Sequence, residues 1–299
     1  MDPNPLIESI PYFSTNTIQV DCLRLDQIHP IVSGNKWYKL RFYIQTAIES
    51  NAKTIVSFGG PYSNHLVALA FVAKQNGLKS RGYVRSNEGE PITPSLQEAM
   101  DYGMDLVYLG RTRFKERKDA LLNDARNESG IYFVNEGGYG VIGAKGASTI
   151  ITDWDIDAEN KIQFYDTLVC AVGTGTMMAG MINAISSHQK IIGIPVLKNE
   201  ESIGAEIQQM ILNSKANFEL LHSFHQGGYA KTSTAQIEFM NAFWNATKIP
   251  TDIVYTGKVF FAVQQLLNDK YFLPNSKVLI IHSGGLQGNR SLAKGVLNF

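Results

Sequence analysis

Lys36 directly follows a glycine and an asparagine in Ser33-Gly34-Asn35-Lys36, and Trp37-Tyr38-Lys39-Leu40 continues it as an amphipathic stretch. A lysine that is desolvated or set beside another cation loses proton affinity and becomes a nucleophile able to hold an aldehyde as an imine. The ordinary alternative is a solvated lysine on a helix face. A second signal is the apolar run 168–172 followed by Gly173-Thr174-Gly175-Thr176 and a helical pattern, where glycine-turn amides and a helix start converge on an anion. No Gly-Lys-Ser/Thr follows it, and neither the third glycine of a dinucleotide turn nor an acidic residue closing the next strand is present. A phosphate monoester therefore fits this loop better than NAD or ATP; a tight turn that binds nothing is the alternative.

Such turns recur. Gly59-Gly60-Pro61-Tyr62-Ser63-Asn64 follows the run 54–58, Glu136-Gly137-Gly138 follows 131–134, and Ser283-Gly284-Gly285 follows 278–281; Gly227-Gly228-Tyr229 is a further glycine turn. Glycine at the carboxyl end of a strand lets backbone N–H groups approach a ligand without Cβ interference, and ligands of open α/β sheets lie beyond those ends. The repetition points to one polar, phosphorylated ligand.

The elements that must position these turns alternate in period. Strand patterns at 54–58, 81–85, 105–109 and 131–134 alternate with helical patterns at 65–76, 95–102, 114–128 and 141–152. After the polar interval 153–160 the series restarts, with strands at 167–172, 190–196, 218–221 and 277–281 and helices at 176–187, 201–212, 233–246 and 258–267. This is an α/β chain with two parallel-sheet halves, and the polar interval is the crossing point between them.

Composition narrows the function. The 299 residues suffice for two modest domains, and the 27 basic residues balance the 27 acidic ones without a basic run, so no nucleic-acid or membrane-surface footprint is visible. The longest apolar run, 67–73, is about one third of the roughly 20 residues of a membrane-spanning helix, and the amino terminus has no secretory pattern. Cys22 and Cys170 have no metal-like or redox spacing, which fits a reducing cytoplasm. His222 and His225 are three apart but lack an acidic or cysteine partner nearby, so no metal site is read there.

In order along the chain, Ser-Gly-Asn-Lys, Gly-Gly-x-x-Ser-Asn-His, Gly-Thr-Gly-Thr, Tyr-Thr-Gly-Lys and His-Ser-Gly-Gly resemble the fold-type II pyridoxal-phosphate enzymes of the tryptophan synthase beta-like group. Within them the chain is most similar to the D-cysteine desulfhydrase and 1-aminocyclopropane-1-carboxylate (ACC) deaminase family, over roughly residues 20 to 290. The resemblance implies a two-domain α/β fold with the cofactor in the interdomain cleft. Residues 1–46 and 155–299 would form the large cofactor-binding domain and 47–154 the small one. It implies Lys36 as the Schiff-base lysine and proton carrier, and Asn64 as partner of the cofactor's phenolic oxygen. Ser63, with the amides of Asn64 and His65, would receive the substrate carboxylate; Gly173, Thr174, Gly175 and Thr176 would hold the phosphate. Tyr229 and Tyr255 would stand close to the substrate, and Thr256 and Ser283 near the cofactor ring. The plainer roles are a helix cap for Ser63 and core stacking for the tyrosines.

A neutral hydroxyl at the ring nitrogen makes a weaker electron sink than a carboxylate. Thr256 stands where ACC deaminases resemble Tyr-Glu-Gly-Lys and the desulfhydrases Tyr-Thr-Gly-Lys, so the expected reaction is α,β-elimination of a small amino acid such as D-cysteine, with ACC deamination or a non-catalytic ligand-binding homologue as alternatives. Departures from the family pattern bear on the substrate. Tyr38 replaces an arginine, the segment 86–113 is short, and Gly-Gly-Tyr-Ala-Lys introduces Lys231, a candidate partner for an anionic substrate side chain. The resemblance also implies a homodimer.

Overall fold

In a computed structural model, which describes residues 6–110, 112–114, 129–153, 162–198, 202–212 and 217–299, the strands form two sheets. The six-stranded sheet contains β1 (Ile7–Ser9), β2 (Gln19–Arg24), β7 (Thr167–Val172), β8 (Lys190–Pro195), β9 (Asn217–Leu220) and β10 (Lys277–His282), in the order β1-β2-β10-β7-β8-β9. The four-stranded sheet contains β3 (Thr54–Gly59), β4 (Lys79–Val84), β5 (Met104–Tyr108) and β6 (Ile131–Phe133), in the order β5-β4-β3-β6. Every pairing is parallel except β1 with β2. The central strands β7 and β10 are buried along almost their whole length, as parallel strands covered on both faces must be.

The helices are α1 (Asn35–Glu49), α2 (Asn64–Gln75), α3 (Pro94–Asp101), α4 (Val141–Thr152), α5 (Thr176–Ile182), α6 (Ile203–Met210), α7 (Thr234–Thr247) and α8 (Thr256–Asn268). The expected strand and helix alternation is present with boundaries displaced by a few residues. The pattern expected at 176–187 stops at Ile182, because the N–H groups of Ala184 and Ile185 both turn back to the Met181 carbonyl. The expected helix at 114–128 and the crossing interval 153–160 fall almost entirely outside the described residues.

Strands β1 and β2 have no counterpart in the sequence reading. Asp21 and Arg24 give Gln19–Arg24 the look of a surface segment, yet both are buried. Internal partners offset this burial: the Tyr165 hydroxyl donates to Asp21 Oδ2 at 2.7 Å, and Arg24 donates to both carboxylate oxygens of Asp26 at 2.9 and 2.8 Å, while Asp21 Oδ1 has no partner among the described residues.

Three apolar clusters make up most of the core. One contains the ring cluster Phe13, Phe239, Phe243 and Phe260, with Phe13 stacked on Phe243 at 5.3 Å. A second includes the inward residues of α4 and α5, and the third those of α2 and the four-stranded sheet. Helix α1 divides its buried face between the last two: Tyr38 packs in the second, and Leu40, Tyr43, Ile44 and Ala47 in the third. The element that carries Lys36 and Lys39 is thus packed into both cores. No helix among the described residues is long and apolar enough to cross a membrane.

Helices α1 and α4 approach so closely that a Cβ on Gly146 would lie 2.1 Å from the Tyr38 carbonyl oxygen. Because the obstacle is backbone, no rotamer change relieves it. Gly146→Ala should destabilise the protein by about 1–3 kcal/mol, the usual range for overpacking. The midpoint of thermal unfolding measures this; an unchanged midpoint would show that the helices do not meet at this point.

Candidate active site

The start of α1 is fixed by Gly34. Its φ of +67° favours glycine, and a Cβ there would lie 1.9 Å from the Ser283 carbonyl oxygen. The same carbonyl accepts the Asn35 N–H at 3.1 Å, so α1 begins against the turn that follows β10. Lys36 and Lys39, three residues apart, then share a helix face. Lys36 is pushed down to about 8 by burial. Lys39 falls well below the ordinary amine value through burial and, second, the charge of Lys36. Its Nζ donates to the Gly137 carbonyl at 3.0 Å and to Thr174 Oγ1 at 3.3 Å.

Lys39 therefore reaches the glycine-threonine loop after β7. Thr174 Oγ1 and Thr176 Oγ1 are 3.0 Å apart, Thr176 is fully buried, and Gly175 is left-handed at φ +71°. A Cβ on Gly175 would lie 2.5 Å from Ile207 Cγ1, so α6 packs directly behind the turn. Two hydroxyls and an ammonium group in one buried corner are a donor set suited to a phosphate.

The turn after β3 supplies a second set. Ser63 caps α2, its hydroxyl accepting the Leu66 N–H at 3.2 Å. Asn64 Nδ2 donates to the Gly285 carbonyl at 3.4 Å, and its Oδ1 is buried without a partner among the described residues. Ser57 donates its hydroxyl proton to the Val134 carbonyl at 2.7 Å, so at 2.8 Å its oxygen accepts from His65 Nε2. His65 Nδ1 is left as a buried, unpartnered acceptor. Burial, then Lys36 and Lys39, hold that ring well below the usual imidazole range, and it is neutral.

Tyr229 and Tyr255 meet edge to face, with ring centroids 6.3 Å apart at 75°. Burial and then the neighbouring Tyr229 phenol push Tyr255 well above its usual value, and burial also raises Tyr229. Both phenols remain protonated near neutral pH and serve as donors. The Tyr229 turn is held from beneath by Lys258, fully buried, whose Nζ donates to the Gly228 carbonyl at 2.6 Å and the Val196 carbonyl at 3.4 Å. Burial lowers Lys258 to about 8, against the opposing pull of the Asp252 carboxylate.

Of the expected site residues, Lys36, Ser63, Asn64, His65, Gly173, Thr174, Gly175, Thr176, Tyr229, Tyr255 and Ser283 all line a single cavity of about 1550 Å³. Thr256 does not. Its hydroxyl donates to Asp252 Oδ1 at 2.7 Å and accepts the Asp252 N–H at 2.7 Å, and its own N–H donates to Asp252 at 2.8 Å. It is fully buried at the start of α8, where these bonds commit it to capping rather than to a ligand. Lys231 is exposed and also absent from the wall. His225 Nδ1 accepts the Gly227 N–H at 2.9 Å and so shapes the turn before Tyr229.

Three cations escaped the sequence reading: Lys39, Lys258 and Arg85. The spacing of Lys39 from Lys36 is the signal that finds it. Lys258 is visible only as the last residue of Tyr-Thr-Gly-Lys, and Arg85 has no local signal; what both touch is remote in sequence.

A family model described as "Pyridoxal-phosphate dependent enzyme" matches residues 2–284. A 1-aminocyclopropane-1-carboxylate deaminase of Bradyrhizobium sp. (strain ORS 278) is 28% identical over 287 residues, covering 85% of this chain and 82% of that one. A D-cysteine desulfhydrase of Salmonella typhi is 25% identical over 306 residues, covering 95% and 92%. Among solved structures, one described as an ACC deaminase homologue superposes with a TM-score of 0.83 at 22% identity, over 96% of this chain and 90% of that chain, which is a likeness of fold.

With Lys36 pushed down to about 8, its free amine predominates above that pH rather than above the usual 10.5. In cofactor-free protein the rate of Lys36 acetylation by acetic anhydride, followed by peptide mass, should rise with pH through about 8 and then level off. A rise that continues past pH 10 would mean an ordinary solvated lysine.

Proposed function

From the premise that the chain belongs to the pyridoxal-phosphate dependent enzymes, we propose that it catalyses α,β-elimination on a small amino acid such as D-cysteine, releasing pyruvate, ammonia and sulfide. The observation that carries this reading is the convergence on one cavity of a desolvated Lys36, the Lys39 and Thr174 corner, the Ser63-Asn64 turn and Ser283. The chain's residues fit the cofactor: a buried cation and two hydroxyls stand ready for a phosphate, and Asn64 Oδ1 is a buried polar atom awaiting a partner.

When bound, pyridoxal phosphate supplies an electron sink that makes a bond at the substrate α-carbon easy to break. The protein's part is to bind, orient and move protons. Lys39, Thr174, Thr176 and the amides of Gly173 and Gly175 would hold the phosphate. Ser63 and the amides of Asn64 and His65 would take the substrate carboxylate, and the Asn64 side chain would bond the cofactor's phenolic oxygen. Ser283 would offer the ring nitrogen a neutral hydroxyl. Lys36, whose free amine predominates above about pH 8, would remove the α-proton. Tyr229 and Tyr255 present protonated phenols to the departing group.

Elimination is favoured over ring opening because the ring-nitrogen position carries Ser283 rather than a carboxylate. ACC deamination is the second reading, supported by the 28% identity to an enzyme of that name. In the same proposal, residues 1–46 and 155–299 are the larger lobe, 47–154 the smaller, and the cavity the cleft between them. The two sheets and the residues each contributes to the wall support this division, although α4 buries its face in the core of the six-stranded sheet. We further propose a homodimer, which rests on the family resemblance alone, and a cytoplasmic setting, which rests on the spacing of Cys22 and Cys170.

Purified, cofactor-loaded protein should release pyruvate from D-cysteine and not from L-cysteine, and no 2-oxobutanoate, the four-carbon product of ring opening, from ACC run in parallel. Release of 2-oxobutanoate from ACC alone would replace this reading with deamination, and cofactor absorbance changes without product would replace it with a binding role. Lys36→Ala should lower pyruvate release by roughly a thousandfold, within the range for a lost proton-transfer group; full turnover in the variant would refute its role as the base.

A further inference from the structure

Three cations stand on the cavity wall among the described residues: Lys36, Lys39 and Arg85. Lys36 serves the α-carbon and Lys39 the phosphate corner, which leaves Arg85. It follows β4 directly, its N–H donates to the Gly59 carbonyl at 2.9 Å, and its guanidinium lies 5.6 Å from the Phe114 ring centroid. A Cβ on Gly60 would sit 3.7 Å from Arg85 Nη2, so the guanidinium overlies the start of the turn that carries Ser63 and Asn64. Its charge also reaches Tyr229, where it opposes the effect of burial on the phenol. Among the described residues no carboxylate lies within the 4 Å of an ion pair with Arg85. Glu90, on the same wall, accepts from Ser86 and Asn87 at 2.5 and 2.6 Å.

The Arg85 guanidinium is exposed at the cavity wall, has no carboxylate partner among the described residues, and stands near both the Gly60 turn and the Tyr229 phenol, a position suited to binding a second anion. We propose that Arg85 recognises an anionic leaving group on the substrate's β-carbon, a phosphate or sulfate ester or comparable oxyanion, so that the preferred substrates are β-substituted alanines of that class. The proposal rests on the elimination reading above. It assigns to Arg85 the role that Lys231, placed off the wall, does not fill.

The chemistry balances without an oxidant or reductant. Lys36 takes the α-proton, the electron pair of that bond becomes the Cα–Cβ double bond, and the Cβ–O bond breaks with its pair leaving on the ester oxygen. Water then hydrolyses the carbon–nitrogen bond, so that serine O-phosphate and one water give pyruvate, ammonium and phosphate. Arg85 holds the oxyanion through this sequence by paired N–H donation, the geometry guanidinium offers to phosphate.

The test uses the cofactor-loaded full chain and Arg85→Gln, with both enantiomers of serine O-phosphate and of 3-chloroalanine, whose leaving group is uncharged before departure. Wild type should prefer one serine O-phosphate enantiomer to 3-chloroalanine in kcat/KM. Arg85→Gln should lower kcat/KM for that ester by about ten- to a hundredfold, mostly through KM, as expected for loss of a charge-assisted contact. The loss on 3-chloroalanine should be several times smaller, and Arg85→Lys should restore part of the difference. Equal losses on both substrates would mean that Arg85 binds the common α-carboxylate, and would overturn the proposal, as would a wild type that shows no preference for the ester. Pyruvate from 3-chloroalanine in that last case leaves elimination standing. If no substrate yields pyruvate, elimination fails, and titration of the cofactor absorbance with serine O-phosphate and with serine still decides Arg85: the variant must weaken only the former.

Discussion

The contact between Gly34 and the Ser283 carbonyl sets the position of nearly everything in the cavity. It joins the beginning of α1 to the end of β10, two points separated by almost the whole chain, at a distance that admits no side chain. Once α1 starts there, helix geometry alone determines where two lysines three residues apart will stand. One lines the cavity and the other reaches the loop after β7, and their separation is a property of the helix rather than of either loop. Any larger residue at position 34 would move both lysines and the Ser283 turn together.

The same arrangement couples charge to occupancy. Burial lowers the proton affinity of both amines, and Lys36 lowers that of Lys39 further. On the proposed reading, a phosphate against Lys39 would reverse part of this by supplying the opposite charge, while Lys36 would keep the low proton affinity that suits a base. His65, neutral under the same two amines, adds no third charge. The floor beneath the tyrosines follows a related logic. Gln226, Gly227, Gly228 and Ala230 all adopt positive φ, at 52°, 91°, 116° and 54°. For Gln226 and Ala230 that backbone is costly, and it persists because Lys258 anchors the Gly228 carbonyl from a fully buried position. Asp252 does the corresponding work for Tyr255, accepting the N–H groups of Val254, Tyr255 and Thr256 at 2.9, 3.0 and 2.8 Å.

What the sequence made legible was whatever depends on short range. The five glycine turns are visible because glycine marks a backbone need locally, and all five contribute residues to the cavity. The Ser63 cap is visible for the same reason. Thr256 was misplaced because its type and motif match a ligand-facing position, whereas its hydroxyl finds a partner four residues back that no motif reveals. Strand β2 was hidden because Asp21 and Arg24 look solvent-facing until Tyr165 and Asp26 are seen to pair with them. Lys258 and Arg85 were unassigned because their meaning lies in contacts with segments tens of residues distant.

The two sheets contribute unlike parts of the wall, and this bears on how substrate choice is separated from cofactor retention. The Gly173–Thr176 corner and the Ser283 turn follow strands of the six-stranded sheet; the first is tied to α1 by the Lys39 side chain and the second by the backbone contact at Gly34. Arg85 follows β4 of the four-stranded sheet, next to a turn rather than inside a hydrogen-bonded network, and no direct bond links it to Lys39, Thr174 or Lys36 among the described residues. A change at Arg85 therefore alters the charge presented to a substrate without disturbing the donors around the phosphate, whereas a change at Gly34 or Gly175 displaces the donors themselves. On the proposed reading, selectivity would be adjustable at the end of β4 because Lys36 is anchored elsewhere.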